Sequence, residues 1–172
     1  MPRRSHPYYH SFKIEYNGFA SLLHSDGHVM MPTATHPDYK KKQFHKFLAI
    51  WDTGATGTVI SEKVVAEVGL FETGKQWVTG VNGKALQPTY MIDIGLPNRV
   101  IIQNVNVVAG KLRGFDILIG MNIICKGDFS LSNYDNQTVL TYSFPPHHNR
   151  IDLLERAETL NTNYKTPLDI PI

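Results

Sequence analysis

The chain has 172 residues, 42% of them apolar and 19% charged, with a formal net charge of +2. That length accommodates one domain with a substantial core and leaves little for a second, and the composition is that of a globular protein, not a disordered or fibrous one. A balance so close to neutral lacks the concentrated basic excess that a phosphate backbone demands, so no nucleic-acid partner is expected.

A single cysteine, Cys125, excludes a disulfide within the chain and offers no pair for a redox or zinc motif, which fits a reducing compartment. The basic start is followed by no apolar signal core, and no run of about 18 apolar residues occurs. The expectation is therefore a cytoplasmic protein without a membrane partner.

From Ser11 to Met31 apolar and polar residues alternate, and Asn17-Gly18 and Asp26-Gly27 offer two hairpin-type turns between antiparallel strands. Pro32 to Lys46 is polar and Pro-bearing, a loop leading into an apolar strand from Phe47 to Trp51. Ser61 is placed to cap a short helix carrying Val64, Val65 and Val68, with Gly69 to end it. Three β-type segments follow, at Gln76–Val81, Leu86–Ile94 and Val100–Val108, the first two joined by a turn at Val81-Asn82-Gly83-Lys84. A compact apolar run surrounds Gly120, and a hairpin folds about Asp135-Asn136. Beyond Pro145-Pro146, Ile151, Leu154 and Ala157 stand at helical spacing and predict a C-terminal helix that docks on the body or on a partner. The expected organisation is a single domain over 1–172, with its core at about 11–144 and an extension at 145–172.

The chemistry concentrates in "FLAIWDTGATGTVIS", where an apolar strand stops at Asp52. Taken alone, Asp-Thr-Gly is a weak signal, and Asp52 could be an Asx-turn residue ending a strand. Its surroundings sharpen it: a second strand follows Ala55, a Gly-bearing hairpin lies some thirty residues on, and Leu118-Ile119-Gly120 forms an apolar element ending in glycine.

In "WDTGATGTVIS", "WVTGVNGKALQPTY" and "FDILIGMNII" the chain resembles the retropepsin-like (retroviral-type) aspartic proteases, especially bacterial single-domain members, over about Phe47 to Phe144. The resemblance implies a mainly β, closed, barrel-like fold with a flap hairpin and one short helix after the apolar-Gly loop. It implies an aspartic endopeptidase that needs no cofactor or metal and acts on a peptide or protein substrate. Two carboxylates in contact cannot both ionise cheaply, so such a pair shares a proton, one acting as base and the other as acid. Because Asp-Thr-Gly occurs once, the pair must come from two copies, a homodimer with both Asp52 residues on the two-fold axis.

By the same resemblance, Asp52, Thr53 and Gly54 are the catalytic motif. Thr53 braces the two loops across the axis, or makes a local turn bond, and Gly54 allows close approach. Ala55 lies under the substrate. Thr79, Gly80, Val81, Asn82 and Gly83 form the flap tip, and Leu118 lines a subsite wall while Ile117 and Ile119 face the core. Where retroviral enzymes carry a charge pair, this chain has the uncharged Thr56 and Met121. A binding or scaffold module of the same fold, gripping an extended segment without cleaving it, is the alternative.

Other signals are discounted. His24 with His28, and His147 with His148, lack a ligand framework for a metal. The basic run from Lys40 to Lys46 is expected to be a solvated face. Asp93, Asp116 and Asp128 are expected to be turn or surface carboxylates, and Cys125 a packing residue.

Overall fold

The computed structural model describes residues 8–32, 43–80, 83–147 and 149–162. Val81 and Asn82 of the expected flap tip, His148, the loop at 33–42 with the first lysines of the basic run, and the tail at 163–172 lie outside the described residues. In chain order the elements are β1 (His10–Glu15), β2 (His24–Met30), β3 (His45–Trp51), β4 (Val59–Ile60), α1 (Glu62–Val68), β5 (Gly74–Gly80), β6 (Gly83–Leu96), β7 (Val100–Ala109), β8 (Ile117–Ile119), α2 (Met121–Ile124), β9 (Asp128–Tyr134), β10 (Gln137–Phe144) and α3 (Leu153–Asn161).

Mainly β, the fold is a closed barrel of six strands in the order β2-β3-β8-β4-β7-β6. The barrel closes because the long β6 pairs with β7 and also with β2, through Met30↔Asp93, Val29↔Ile94 and His28↔Gly95. β-branched side chains fit a pleated interior, and Ile60, Ile92, Ile94, Val100, Ile117 and Ile119 are all fully buried there. The remaining strand of this sheet, β5, extends past the barrel as a hairpin with β6, in register from Gly74↔Thr89 to Gly80↔Gly83. A second antiparallel sheet, β1-β10-β9, gathers strands from both ends of the described fold. It packs Phe12, Leu140 and Tyr142 into the common core.

Helix α1 forms as its sequence predicts. Ser61 Oγ accepts from Val64 N, Gly69 closes the helix in the left-handed conformation (φ 71°), and Val64 and Val68 are buried. Seven residues cannot sustain a helix alone, so its stability comes from that apolar face.

Four expectations need correction. Asp26-Gly27 makes no turn: β2 runs straight through it, and Gly27 is there because a Cβ would sit 2.9 Å from Ile117 Cδ1 and 3.2 Å from Ala49 Cβ. Asp93 is no surface carboxylate but is fully buried. It sits where Ile92 pairs with Val105 and Ile94 with Ile102, so β7 carries one extra residue; Asn104 takes φ 54° there and donates its amide to Asp93 Oδ1 at 2.8 Å. The carboxylate replaces the ladder acceptor that a β-bulge removes. Cys125 caps the C-terminal end of α2 and is exposed instead of packed. Finally, α3 is capped by Asp152, whose Oδ1 accepts from Leu154 N and Glu155 N, but it buries none of its residues on the body.

Candidate active site

Strands β3 and β8 run parallel, with Trp51 opposite Ile119, so the chain leaves them side by side at Asp52 and Gly120. Asp52 N donates to Ile119 O at 2.9 Å, which pins the first residue of the loop to the end of the neighbouring strand. The loop then folds back on its own carboxylate: Gly54 N donates to Asp52 Oδ1 at 2.8 Å, and Ala55 N to Asp52 O at 3.3 Å. A Cβ at Gly54 would lie 3.2 Å from Oδ1, crowding the acceptor that this turn depends on. Among the described residues no other hydrogen bond or ion pair engages the Asp52 carboxylate, and the residue is half-buried.

The second loop locks the first. Met121 N donates to Ala55 O at 2.8 Å and Asn122 N to Thr56 O at 3.1 Å. Gly120 N donates to Thr58 Oγ1 at 3.2 Å, and that hydroxyl donates to Asn122 Oδ1 at 2.7 Å. Asn122 Nδ2 reaches Asn106 O on β7 at 3.1 Å. The crossing is so close that a Cβ at Gly120 would lie 2.4 Å from Gly57 O. Thr58 is buried, which leaves its hydroxyl to this lock and none of it to solvent.

Asp52, Thr53, Gly54 and Ala55 thus share one braced loop. Thr53 and Gly54 are exposed, Ala55 is half-buried, and the Thr53 hydroxyl makes no hydrogen bond among the described residues. Leu118 is half-buried between Ile50 and Val59, its neighbours Ile117 and Ile119 fully buried, as strand alternation requires. Thr79, Gly80 and Gly83 are exposed at the end of the β5–β6 hairpin, and no hydrogen bond joins that hairpin to residues 52–58 among the described residues. Three residues of this region, Thr58, Asn122 and Trp51, carry no local signal of their roles, because nothing within a β-branched or apolar run reveals a tertiary hydrogen bond.

Residues 42–123, the span that holds both loops and the hairpin, match the family model described as aspartyl protease. Over that span the chain is similar to the aspartyl proteases. Among solved structures, the chain is similar to a retropepsin-like aspartic protease from Rickettsia conorii, with 13% identity and a TM-score of 0.49 over 79% of this chain and 95% of that one. It is also similar to the retroviral protease-like domain of Ddi1 from Leishmania major, at 14% identity and a TM-score of 0.41 over 70% and 94%. The simian foamy virus protease aligns at 18% identity and a TM-score of 0.38 over 57% and 87%. Comparison with curated proteins gives no match. Among the described residues no helix is long and apolar enough to cross a membrane.

Proposed function

We propose that the chain is an aspartic endopeptidase that works as a homodimer, with two Asp52 residues, one per copy, activating a single water molecule. The observation that carries this reading is the Asp52 loop: a carboxylate at the end of a buried strand, bonded through one oxygen to Gly54 N and braced by the crossing at Gly120. The family match and the single Asp-Thr-Gly support it.

In this mechanism the ionised carboxylate takes a proton from water as its oxygen attacks the scissile carbonyl carbon, and the protonated carboxyl gives its proton to the carbonyl oxygen. The tetrahedral diol then collapses, the C–N bond breaks, and the departing nitrogen takes a proton, leaving a free acid and a free amine without an acyl-enzyme. Thr53 braces the paired loops, and Ala55 and Leu118 line the floor and a subsite wall. Thr79, Gly80, Val81, Asn82 and Gly83 cover an extended peptide and exclude water. No metal or cofactor takes part, and the proposed compartment is the cytoplasm.

Incubating the chain and its Asp52→Asn variant with a diverse peptide library from acid to neutral pH tests the proposal. Cleavage should be strongest at mildly acidic pH, where a singly protonated pair persists, and should vanish in Asp52→Asn while the circular dichroism is kept. Equal cleavage by the variant refutes the assignment, and activity from a species that sediments as a monomer refutes the dimer. Capture of intact peptide with no hydrolysis at any pH favours the scaffold alternative.

A further inference from the structure

Trp51 ends β3, and its peptide bond leads straight into Asp52. Its indole is buried, and Nε1–H donates to Ser25 Oγ on β2 at 3.0 Å. The ring meets one aromatic side chain from each strand of the second sheet: Phe12 of β1 at 6.0 Å between centroids, Tyr142 of β10 at 5.3 Å and Phe129 of β9 at 5.8 Å. Phe12 and Tyr142 also meet each other, at 5.9 Å. The Trp51 main chain is tied too, donating its amide to Leu23 O at 2.9 Å.

An aliphatic side chain would fill this volume. An indole does more, because turning it would leave a buried N–H without an acceptor, so stacking and hydrogen bond together fix one orientation. The residue that precedes the catalytic carboxylate is thereby held by β2 on one side and by all three strands of the second sheet on the other. That sheet joins residues 10–15 to residues 128–144, so the brace exists only once the two ends of the fold have paired.

We propose that Trp51 is a positioning residue for the reaction of Asp52, and that through it the sheet β1-β10-β9 sets the direction of the carboxylate. This rests on the endopeptidase reading. A reacting group displaced by about 1 Å can lose on the order of a hundredfold in rate, so a brace of this kind acts on turnover and leaves peptide binding alone.

The test uses the full chain with Trp51→Leu, Trp51→Phe, Ser25→Ala and Phe129→Leu. The readouts are kcat and KM on a peptide substrate, and the amide resonance of Gly54, whose N–H sits on Asp52 Oδ1. Trp51→Leu should lower kcat roughly 10- to 100-fold with KM within about twofold, and should shift the Gly54 resonance. Trp51→Phe, which keeps a ring in the cluster but loses the bond to Ser25, should recover only part of the rate, and Ser25→Ala, which loses that bond alone, should show a partial loss of the same kind. Phe129→Leu, on a different strand from the carboxylate, should give a smaller loss of the same kind. A folded Trp51→Leu with wild-type kcat and an unmoved Gly54 resonance overturns the proposal. If Trp51→Leu does not fold, Ser25→Ala and Phe129→Leu decide by the same two readouts. If the wild-type chain cleaves nothing, the endopeptidase reading fails by itself, and the Gly54 resonance still decides the brace: shifted in the folded variants it stands, unmoved it falls.

Discussion

Replacing Gly120 by alanine probes the crossing that holds the Asp52 loop. The added Cβ would lie 2.4 Å from Gly57 O, 2.5 Å from Gly57 C and 2.9 Å from Ala55 O. All three are backbone atoms and cannot rotate aside. Ordinary contact distance requires the two loops to separate by about 1 Å, which stretches the bonds from Met121 N to Ala55 O and from Asn122 N to Thr56 O. Overpacking costs about 1–3 kcal/mol and each weakened hydrogen bond about 1 kcal/mol, so the loss should be about 3–5 kcal/mol. Against a total stability of about 5–15 kcal/mol, the variant should fold but with much reduced reserve. With a urea slope of about 2 kcal/mol/M, the unfolding midpoint should fall by roughly 1.5–2.5 M. On the proposed mechanism, peptide cleavage should drop with it, because the displaced loop carries the carboxylate. A midpoint within about 0.3 M of wild type would refute the claim that this glycine is required by close approach.

Asp93→Ala should cost about 1–3 kcal/mol by leaving the Asn104 amide without its acceptor, whereas Asp93→Asn, which keeps an oxygen there, should cost less; equal losses in urea titrations would refute the acceptor role. Tyr142 is buried near Cys125 and Asp128, so its hydroxyl resists ionisation and its pKa is raised, chiefly by burial. The neutral phenol's contribution is complete below the unfolded value of about 10 and declines as pH rises above it, so wild-type stability should fall in strong alkali. Tyr142→Phe should be weaker by about 0.5–1.5 kcal/mol at neutral pH, having lost the 2.9 Å bond to Ile123 O, yet flatter in alkali; parallel pH curves would refute this. Replacing Leu153, Leu154 and Leu160 of α3 by serine should leave the stability of the body in urea unchanged to within about 0.5 kcal/mol, since α3 buries nothing on it; a larger loss would show that the helix is part of the core.

The elements most legible in the sequence are those whose signals are local. Ser61 and Gly69 bound α1 because capping needs only the helix's own amides and carbonyls. Asp135 and Asn136 turn β9 into β10 with φ 50° and 56°, a conformation that these side chains tolerate. The Asp52 loop was legible because its glycine and carboxylate bond within the loop itself. What stayed hidden depends on partners far along the chain. Gly27 carries the composition of a turn but answers to Ile117 across the barrel, and Asp93 looks like an exposed carboxylate until the bulge in β7 is known. Thr58 and Asn122 are 64 residues apart, and only the crossing of two loops makes them a pair.

The same contrast separates what one copy holds in place from what the proposed dimer would add. The fold holds Asp52 by Ile119 O at the backbone and by Gly54 N at one oxygen, contacts that fix position without neutralising charge. Among the described residues the cations that pair with carboxylates stand elsewhere, Lys13 with Glu15, Lys46 with Asp26 and Lys63 with Asp116. On the proposed dimer, two such carboxylates would meet without a cation between them, and the least costly relief is to share a proton. Proton sharing is then a property of the assembled pair, and the part of the single chain is to make each half stiff enough that the repulsion cannot be relieved by moving apart. Loosening the crossing at Gly120 should therefore impair the reaction even where the dimer still forms, and the sedimentation and cleavage of Gly120→Ala should part company; a variant that dimerises and cleaves like wild type would show that stiffness of the loop is not what the reaction needs.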